Sequence, residues 1–498
     1  MLLLALGLAL QPALTVEGLD AQEAPGGSGA LALEEAIRIA LENNPEFRIQ
    51  LAQGESALWR EREARGDFLP SVNASSSFGY TASGERRFQS VGLGTQPAVY
   101  SSSYSLNMSL SMSGATLLRP SLVREQNAAT DARIEGAGFG LEDQVTQAYL
   151  QVLQADEELR QARAELDRTR TYVRQAEAQV EVGAGTPLDI RRAEVQEGQA
   201  EVRLLQAENA AATSRLALGR VMGVPVEVGT RLSTTFELFD PDLDPDALLD
   251  RALERNPVLR ATRRQAAAAS TQARMARMQY YPSLSLSAGL SGSVFEPADL
   301  GPLLSDRIGQ LGNQYESCLQ DNRIRDLLGD APRNCAALDP ADPEVAAEAR
   351  RQVREQNRGF PFDYNTQPLS LSLSFSIPVF TGFSRQLQVE EARVGAFTAR
   401  EQVRVEELRL RSEIESVVRA VQTARRTVDL QTRIRETAAE ELRLAQERFR
   451  LGLASSVEVV DAQANLSQAE RDEISAVYAF HLSLAGLEGL VGERLREP

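Results

Sequence analysis

One histidine (His481) and two cysteines (Cys318 and Cys335) are the only imidazole and thiol side chains among the 498 residues. A zinc site of His/Cys type or a Ser-His-Asp triad cannot be built from this chain alone. His481 reads as a partly buried polar residue of the last helix, and no enzymatic activity, metal or cofactor is expected. Positive charge is also short. With 53 basic against 70 acidic residues the net charge is -17, which repels phosphate backbones and excludes nucleic acid as a partner. Aromatics amount to only 5%, and the abundance of Ala, Leu, Gln, Glu and Arg suits long helices better than a thick globular core. Long apolar runs are missing beyond the first ten residues, MLLLALGLAL. That run is too short to cross a bilayer but fits the hydrophobic part of a secretory signal spanning residues 1–24, although the usual basic start is absent. Any membrane crossing must therefore use strands.

What is present is repetition. Asn44-Pro45 recurs as Asn256-Pro257, and Leu69-Pro70-Ser71 as Tyr281-Pro282-Ser283, both offset by 212 positions. Val182-Gly183 recurs as Leu451-Gly452, and Met222-Gly223 as Val491-Gly492, both offset by 269. The chain is a tandem duplication whose second copy gains 57 residues between Pro282 and the next long helix. The first repeat covers 31–223, a linker 224–244, the second repeat 245–492 and a tail 493–498. Each repeat reads helix, strand, strand, very long helix, helix, which makes the fold mixed but mainly α. First helices are expected over 33–66 and 246–279, and strands over 68–80, 100–113, 282–294 and 368–380. The long helices are expected over 117–182 and 381–451. The polar stretch 295–367 is an insert, read as an extracellular loop closed by a Cys318–Cys335 disulfide, since an exported protein lies in an oxidising compartment.

Two periods carry the argument toward function. In Tyr104-Leu106-Met108-Leu110-Met112 and in Leu369-Leu371-Leu373-Phe375-Ile377, apolar residues alternate with serine or asparagine. A soluble sandwich would place Lys, Glu and Thr on its polar face. Serine-faced strands of about ten residues, bracketed by Phe68, Tyr280, Tyr281, Phe380 and Phe383 at one end and by Tyr80, Tyr100 and Phe295 at the other, suit a membrane barrel with aromatic girdles. In the long helices Leu141, Val145, Ala148, Val152, Ala155, Leu159, Ala162 and Leu166 follow four-three spacing. Leu410, Ile414, Val417, Val421, Ala424 and Val428 repeat that seam until Gln431 and Arg435 interrupt it. The returning helices are shorter than the long ones, so the Asn-Pro helices must continue their columns. Four strands cannot close a barrel, and open edges in lipid cost several kcal/mol per unpaired group. The residues alone thus imply several chains around a wet, strand-anchored, helix-walled conduit.

The pattern resembles the TolC family of outer-membrane efflux channels. The likeness rests on Leu31-Ala32-Leu33-Glu34-Glu35-Ala36 with Asn44-Pro45, on Val182-Gly183 and Gly223, and on Arg448-Phe449-Arg450-Leu451-Gly452 with Val459-Val460-Asp461-Ala462-Gln463. It implies a homotrimer with a twelve-stranded transmembrane β-barrel in the outer membrane and a periplasmic α-helical coiled-coil tunnel. It further implies a periplasmic adaptor and an inner-membrane transporter of RND, ABC or MFS type as partners, and export of small molecules as the function. Protein secretion of type I is the alternative; a periplasmic adaptor would need only one hairpin and no serine-faced strands. The resemblance sets the entrance at the turns holding Gly183 and Gly452, with Asp189, Glu458 and Asp461 on the acidic, constricting positions. It departs from the family where Ala454 replaces a latch arginine, and where Ser113-Gly114-Ala115 stands in place of the Pro-Val-Phe-x-Gly of Pro378 to Gly382. Neither cysteine is near the N-terminus, so no lipid anchor of that kind is expected.

Overall fold

The computed structural model describes residues 30–88, 91–227 and 229–495. The expected signal segment 1–24 lies outside them. The first repeat comprises α1 (Leu33–Asn43), α2 (Pro45–Gly66), β1 (Ser71–Thr81), β2 (Gly84–Phe88), β3 (Val91–Gln96), β4 (Val99–Met112), α3 (Gly114–Glu181) and α4 (Pro187–Met222). The second comprises α5 (Pro245–Arg255), α6 (Pro257–Met278), β5 (Ser283–Pro297), α7 (Gly301–Leu328), a 3-10 turn (Ala336–Leu338), α8 (Pro343–Gln356), β6 (Asn365–Thr366), β7 (Ser370–Ser376), α9 (Ser384–Arg450) and α10 (Ser456–Val491).

Several boundaries differ from the sequence reading. The stretch 33–66 is two helices, because Pro45 disfavours the helical conformation at Asn44, whose ψ is 121°. Asn44 exploits the break. Its Oδ1 accepts from the Phe47 N–H at 2.9 Å, capping α2, and its Nδ2 donates to the Val221 carbonyl at the end of α4 at 2.8 Å. Asn256 repeats both bonds, to Leu259 N–H at 3.0 Å and to the Leu490 carbonyl at 3.1 Å. Both amides are buried, so each supplies partners to backbone groups that water cannot reach. The first long helix starts at Gly114 rather than 117 because Ser113 Oγ accepts from the Thr116 N–H at 3.2 Å as an N-cap. Its partner starts at Ser384 after a junction in which Gly382 and Phe383 both take positive φ, 61° and 64°.

The chain divides into two compact units. The helical unit contains Val123–Ser270 and Arg393–Pro498 with the chain before Glu61; the sheet unit contains Glu61–Leu122 and Thr271–Ala392. In the helical unit the four-three seam of α3 is buried apart from half-buried Leu159, and Leu141, Val145, Ala148 and Val152 of it pack with Leu33, Ile37, Leu218 and Met222. In α9, Leu410, Ile414, Val421 and Val428 are buried, but Val418 takes the place expected of Val417. Arg435, where that seam breaks, pairs with Glu473 of α10 at 2.8 Å. Glu165, its side chain 4% exposed, joins three helices by pairing with Arg203 of α4 at 2.7 Å and Arg471 of α10 at 3.6 Å. The cations are arginines throughout, as are all 53 basic residues of the chain, and a guanidinium fork suits such bridging.

The segment between the repeats packs onto this unit. Leu31 bridges Leu232 in parallel, and Phe236 lies near the rings of both Tyr149 and His481, with centroids at 6.5 and 5.5 Å. His481 is fully rather than partly buried, at 1% exposure. Contrary to the expectation that no later helix is apolar enough to cross a membrane, α10 is so by length and composition. Its Phe480, Leu484, Leu487 and Val491 are instead buried against α5 and α9, as in the core helix of a packed bundle.

The sheet unit carries an antiparallel meander in the order β1-β4-β5-β7, with β6 pairing β5 as well. Its register sets serine against serine: Ser71, Ser109, Ser287 and Ser372 form one row, and Val72, Met108, Ala288 and Leu371 the next. One face is therefore hydroxylic and the other oily across all four strands. The edges β1 and β7 are exposed on both faces. The expected strand 368–380 is shorter and interrupted. Between the pairs Gly292↔Thr366 and Gly289↔Ser370, β5 uses two residues and its partner three, a bulge that accommodates Pro368. The bulge turns Tyr364 and Thr366 to the oily face, where Tyr364 sits edge-on to Tyr104 at 4.8 Å and shares a hydrogen bond with Ser102 at 2.9 Å. Phe360 and Phe362 join Tyr100 and Phe78 there, at 5.8 and 6.4 Å. Phe295, read as part of a girdle, pairs opposite Ser101 and so belongs to the hydroxyl face.

The connections within the sheet unit also differ from a simple loop. The first repeat carries the β2-β3 hairpin. The insert of the second is helical, with α7 packed on α8 and the residue before the 3-10 turn tied back to the middle of α7 by the Cys318–Cys335 disulfide, whose Cα atoms are 5.9 Å apart. Beside it Asn322 accepts from the Arg333 N–H at 2.7 Å and donates to its carbonyl at 2.8 Å.

Candidate functional site at the helical hairpin turns

In the helical unit α3 and α9 each end in a glycine with left-handed backbone, Gly183 at φ 77° and Gly452 at φ 71°. The turns share one hydrogen-bond pattern. Ala184 N–H donates to the Gln179 carbonyl and Leu453 N–H to the Arg448 carbonyl, each at 2.8 Å, while the glycine N–H groups reach Val180 and Phe449 at 3.0 Å. These are Schellman closures, which need an αL residue and favour glycine there.

Asp189 is the third residue of α4. Its carboxylate accepts from the Thr186 N–H at 2.9 Å and the Thr186 hydroxyl at 2.7 Å, and its other oxygen accepts a short bond from the Ser456 hydroxyl. Ser456 is the buried first residue of α10, so one carboxylate ties the first repeat's turn to the second's. The Ser456 carbonyl in turn accepts from the Tyr172 hydroxyl at 3.3 Å. The Ser456 bond, then the Thr186 bonds, hold the Asp189 carboxyl below its ordinary value against the opposing effect of burial. Burial, aided by the negative charge of Asp189 and opposed by Arg192, pushes the Tyr172 hydroxyl up to about 12. Beneath the turns Tyr172, Val173, Ala176 and Ala193 pack with Ala438, Leu442, Val459 and Leu466, largely small side chains that let the two hairpins approach.

Glu458 holds the equivalent place in α10 and does something different. It shares long capping bonds with Ser455, at 3.4 and 3.5 Å, and pairs with Arg448 at 3.3 Å, all within its own turn. Asp461 is exposed one turn on. Glu458 and Asp461 line one open groove between α9 and α10, together with Glu436, Glu440, Glu441 and Arg448. The structure thus brings two of the three candidate acids into a groove of five carboxylates and one guanidinium, and gives the third to a bond between turns. Ala454, half-buried, adds no charge. Tyr172 and Ser456 escaped the sequence reading. The doubled serine Ser455-Ser456, where the first repeat has Thr186-Pro187, was the only signal for either.

The family model described as "Outer membrane efflux protein" matches residues 36–224 and 337–493. Protein CyaE of Bordetella pertussis is 26% identical over 338 residues, which cover 64% of this chain and 68% of CyaE. The pyoverdine export outer membrane protein OpmQ of Pseudomonas aeruginosa is 30% identical over 158 residues, 31% of this chain and 33% of OpmQ. Among solved structures, a crystal structure of CusC superposes with a TM-score of 0.69 over 93% of this chain and 92% of that one, at 16% identity, a likeness of fold.

Proposed function

The chain belongs to the outer membrane efflux protein family, and from that premise we propose that three copies close a twelve-stranded barrel in the outer membrane and form an exit duct for small molecules. The observation that carries this reading is the sheet: four strands, two unpaired edges, one oily face and one hydroxyl face. In lipid each unpaired edge group costs several kcal/mol, so the edges must meet another copy. Strand direction alternates from β1 to β7, so β7 of one copy meets β1 of the next antiparallel, and the ring closes with an even count. Eight strands would be filled by side chains, whereas twelve leave a lumen for the serines.

The helical unit supports the same assembly. On α4 the exposed residues Leu188, Val195, Val202, Leu205 and Leu216 follow heptad spacing, and on α9 so do Leu430, Ile434 and Leu444. These are coiled-coil seams without a partner inside one chain, and neighbouring copies fill them to make a periplasmic tunnel. The hairpin turns ring its entrance, where Asp189 restrains the turns and Glu458 with Asp461 concentrates cations. A periplasmic adaptor and an inner-membrane transporter deliver cargo there. The name of OpmQ, a pyoverdine export protein, favours a small-molecule cargo.

Mass measurement of the purified protein in detergent should give three chains, and the protein in a planar bilayer should conduct. Replacing Glu458 and Asp461 together by alanine should reduce cation selectivity and block by multivalent cations while trimers persist. A stable monomer that conducts ions overturns the assembly. Unchanged selectivity in the double variant reduces the two acids to helix-end carboxylates, worth about 0.3–1 kcal/mol each.

A further inference from the structure

The hydroxyl face of the sheet has a property that the closed duct alone does not require. Along β1, β4, β5 and β7 its side chains are Ser71, Asn73, Ser75 and Ser77, every second residue from Ser101 to Ser111 with Asn107 among them, every second residue from Ser283 to Phe295 with Gly289 among them, and every second residue from Ser370 to Ser376. Not one of these positions is ionisable. Glu296, the single charged residue within these strands, pairs opposite Tyr100 on the oily side at the outer rim. Six of the hydroxyls, all on β1 and β4, are engaged with one another. Ser71 and Ser109, Ser75 and Ser105, and Ser77 and Ser103 share Oγ–Oγ bonds of 2.8 Å, and Ser370 Oγ donates to the Gly289 carbonyl at 3.1 Å. Where the larger amides stand, Gly289 keeps the neighbouring position open: a Cβ there would come within 3.3 Å of Asn107 Oδ1 and 3.1 Å of Ser370 Oγ.

Selectivity among charged solutes comes from fixed charges at close range, and hydrogen-bond selectivity from donors and acceptors left free to the solute. This wall has none of the first, and its hydroxyls, which both donate and accept, serve a solute of either sign equally. We infer that the barrel segment is charge-blind: its wall passes cationic, anionic and neutral hydrophilic solutes alike. The inference rests on the hydroxyl face being the lumen of the proposed duct.

Cysteine chemistry tests both levels separately. The two native cysteines are bonded to each other, so one introduced thiol is the sole reactive group among the described residues. Ser105→Cys and Ser287→Cys, in trimers reconstituted in vesicles, are treated with a cationic and an anionic methanethiosulfonate of similar size, and each rate is divided by that of a free thiol. The expected ratio of cationic to anionic rates is near one, within about twofold. Adding Ser291→Asp opposite Ser105→Cys should raise that ratio on the order of tenfold, since one carboxylate per chain then faces the lumen. A preference of about tenfold or more for either sign without the added aspartate overturns the inference. So does a ratio that stays near one with the aspartate present, because the lack of wall charge then cannot be the cause of the even rates. If Leu106→Cys reacts with both aqueous reagents and Ser105→Cys with neither, the faces are reversed and the duct reading itself fails.

Discussion

Asp189 and Glu458 stand 269 positions apart, each third in its helix, yet the first reaches across to Ser456 of the other repeat while the second turns to Ser455 and Arg448 of its own. The same contrast recurs at the far ends of those helices. Gly223 and Gly492 both cap in the left-handed region, at φ 76° and 73°. A Cβ on Gly223 would lie 2.5 Å from the Asn43 carbonyl oxygen, whereas on Gly492 the nearest atom is the Arg255 carbonyl oxygen at 4.0 Å. Duplication copied the local instructions, caps and breaks included. What diverged is what each copy touches, so equivalent positions are not interchangeable.

The sharpest way to break that comparison is the glycine pair. Gly223→Ala adds a clash with rigid backbone to the αL penalty and should destabilise by roughly 2–5 kcal/mol, against about 1 kcal/mol for Gly492→Ala. Thermal denaturation of both variants in detergent checks the ranking, and equal losses would mean that the α4 end relaxes freely. Next comes the insert, which only the second repeat has. Replacing Cys318 and Cys335 by serine reopens a 17-residue separation and should cost the insert about 3 kcal/mol, read as protease sensitivity of α7 and α8 with trimers intact.

The Asn44 and Asn256 clamps make the converse test, since here the repeats agree. Each Asn→Ala change leaves a buried carbonyl and an N-terminal N–H without their partner, and each should cost about 1–3 kcal/mol, alike in both repeats. A difference beyond that range would show that one half contributes more to the helical unit. The smallest effects concern the turns. The depressed Asp189 carboxyl contributes stability that is fully present above its unfolded value of 3.8 and is lost as pH falls through the lower folded value. The raised Tyr172 hydroxyl contributes stability that is fully present below 10.0 and lost as pH rises through about 12. Asp189→Asn should flatten the acid limb and Tyr172→Phe the alkaline limb of stability against pH.

Much of this architecture was legible because it depends on local or periodic signals. The offsets of 212 and 269 relate the helix ends directly: Pro45–Gly66 maps onto Pro257–Met278, and Pro187–Met222 onto Ser456–Val491. The serine alternation and the four-three seam are properties of neighbours along one strand or helix, so they could be read without coordinates. The turn glycines were legible for the same reason. The break at Asn44 was less so, since a single Asn-Pro pair within an otherwise helical stretch is easily read through.

The duplication, the mainly helical class, the two-faced strands and the acids near the turns were all readable along the chain, because each arises from spacing or from residue chemistry close in sequence. Only the tertiary structure decided that Val418 replaces Val417 in the seam, that Phe295 lies on the hydroxyl face while Phe360, Phe362 and Tyr364 join the oily one, and that the insert is helical. Only it paired Asp189 with Ser456 across 267 positions. Such contacts depend on register, on a one-residue bulge or on which helices pack together. A one-residue change in register reverses the face of every side chain that follows, and no local pattern records which distant partner a helix meets.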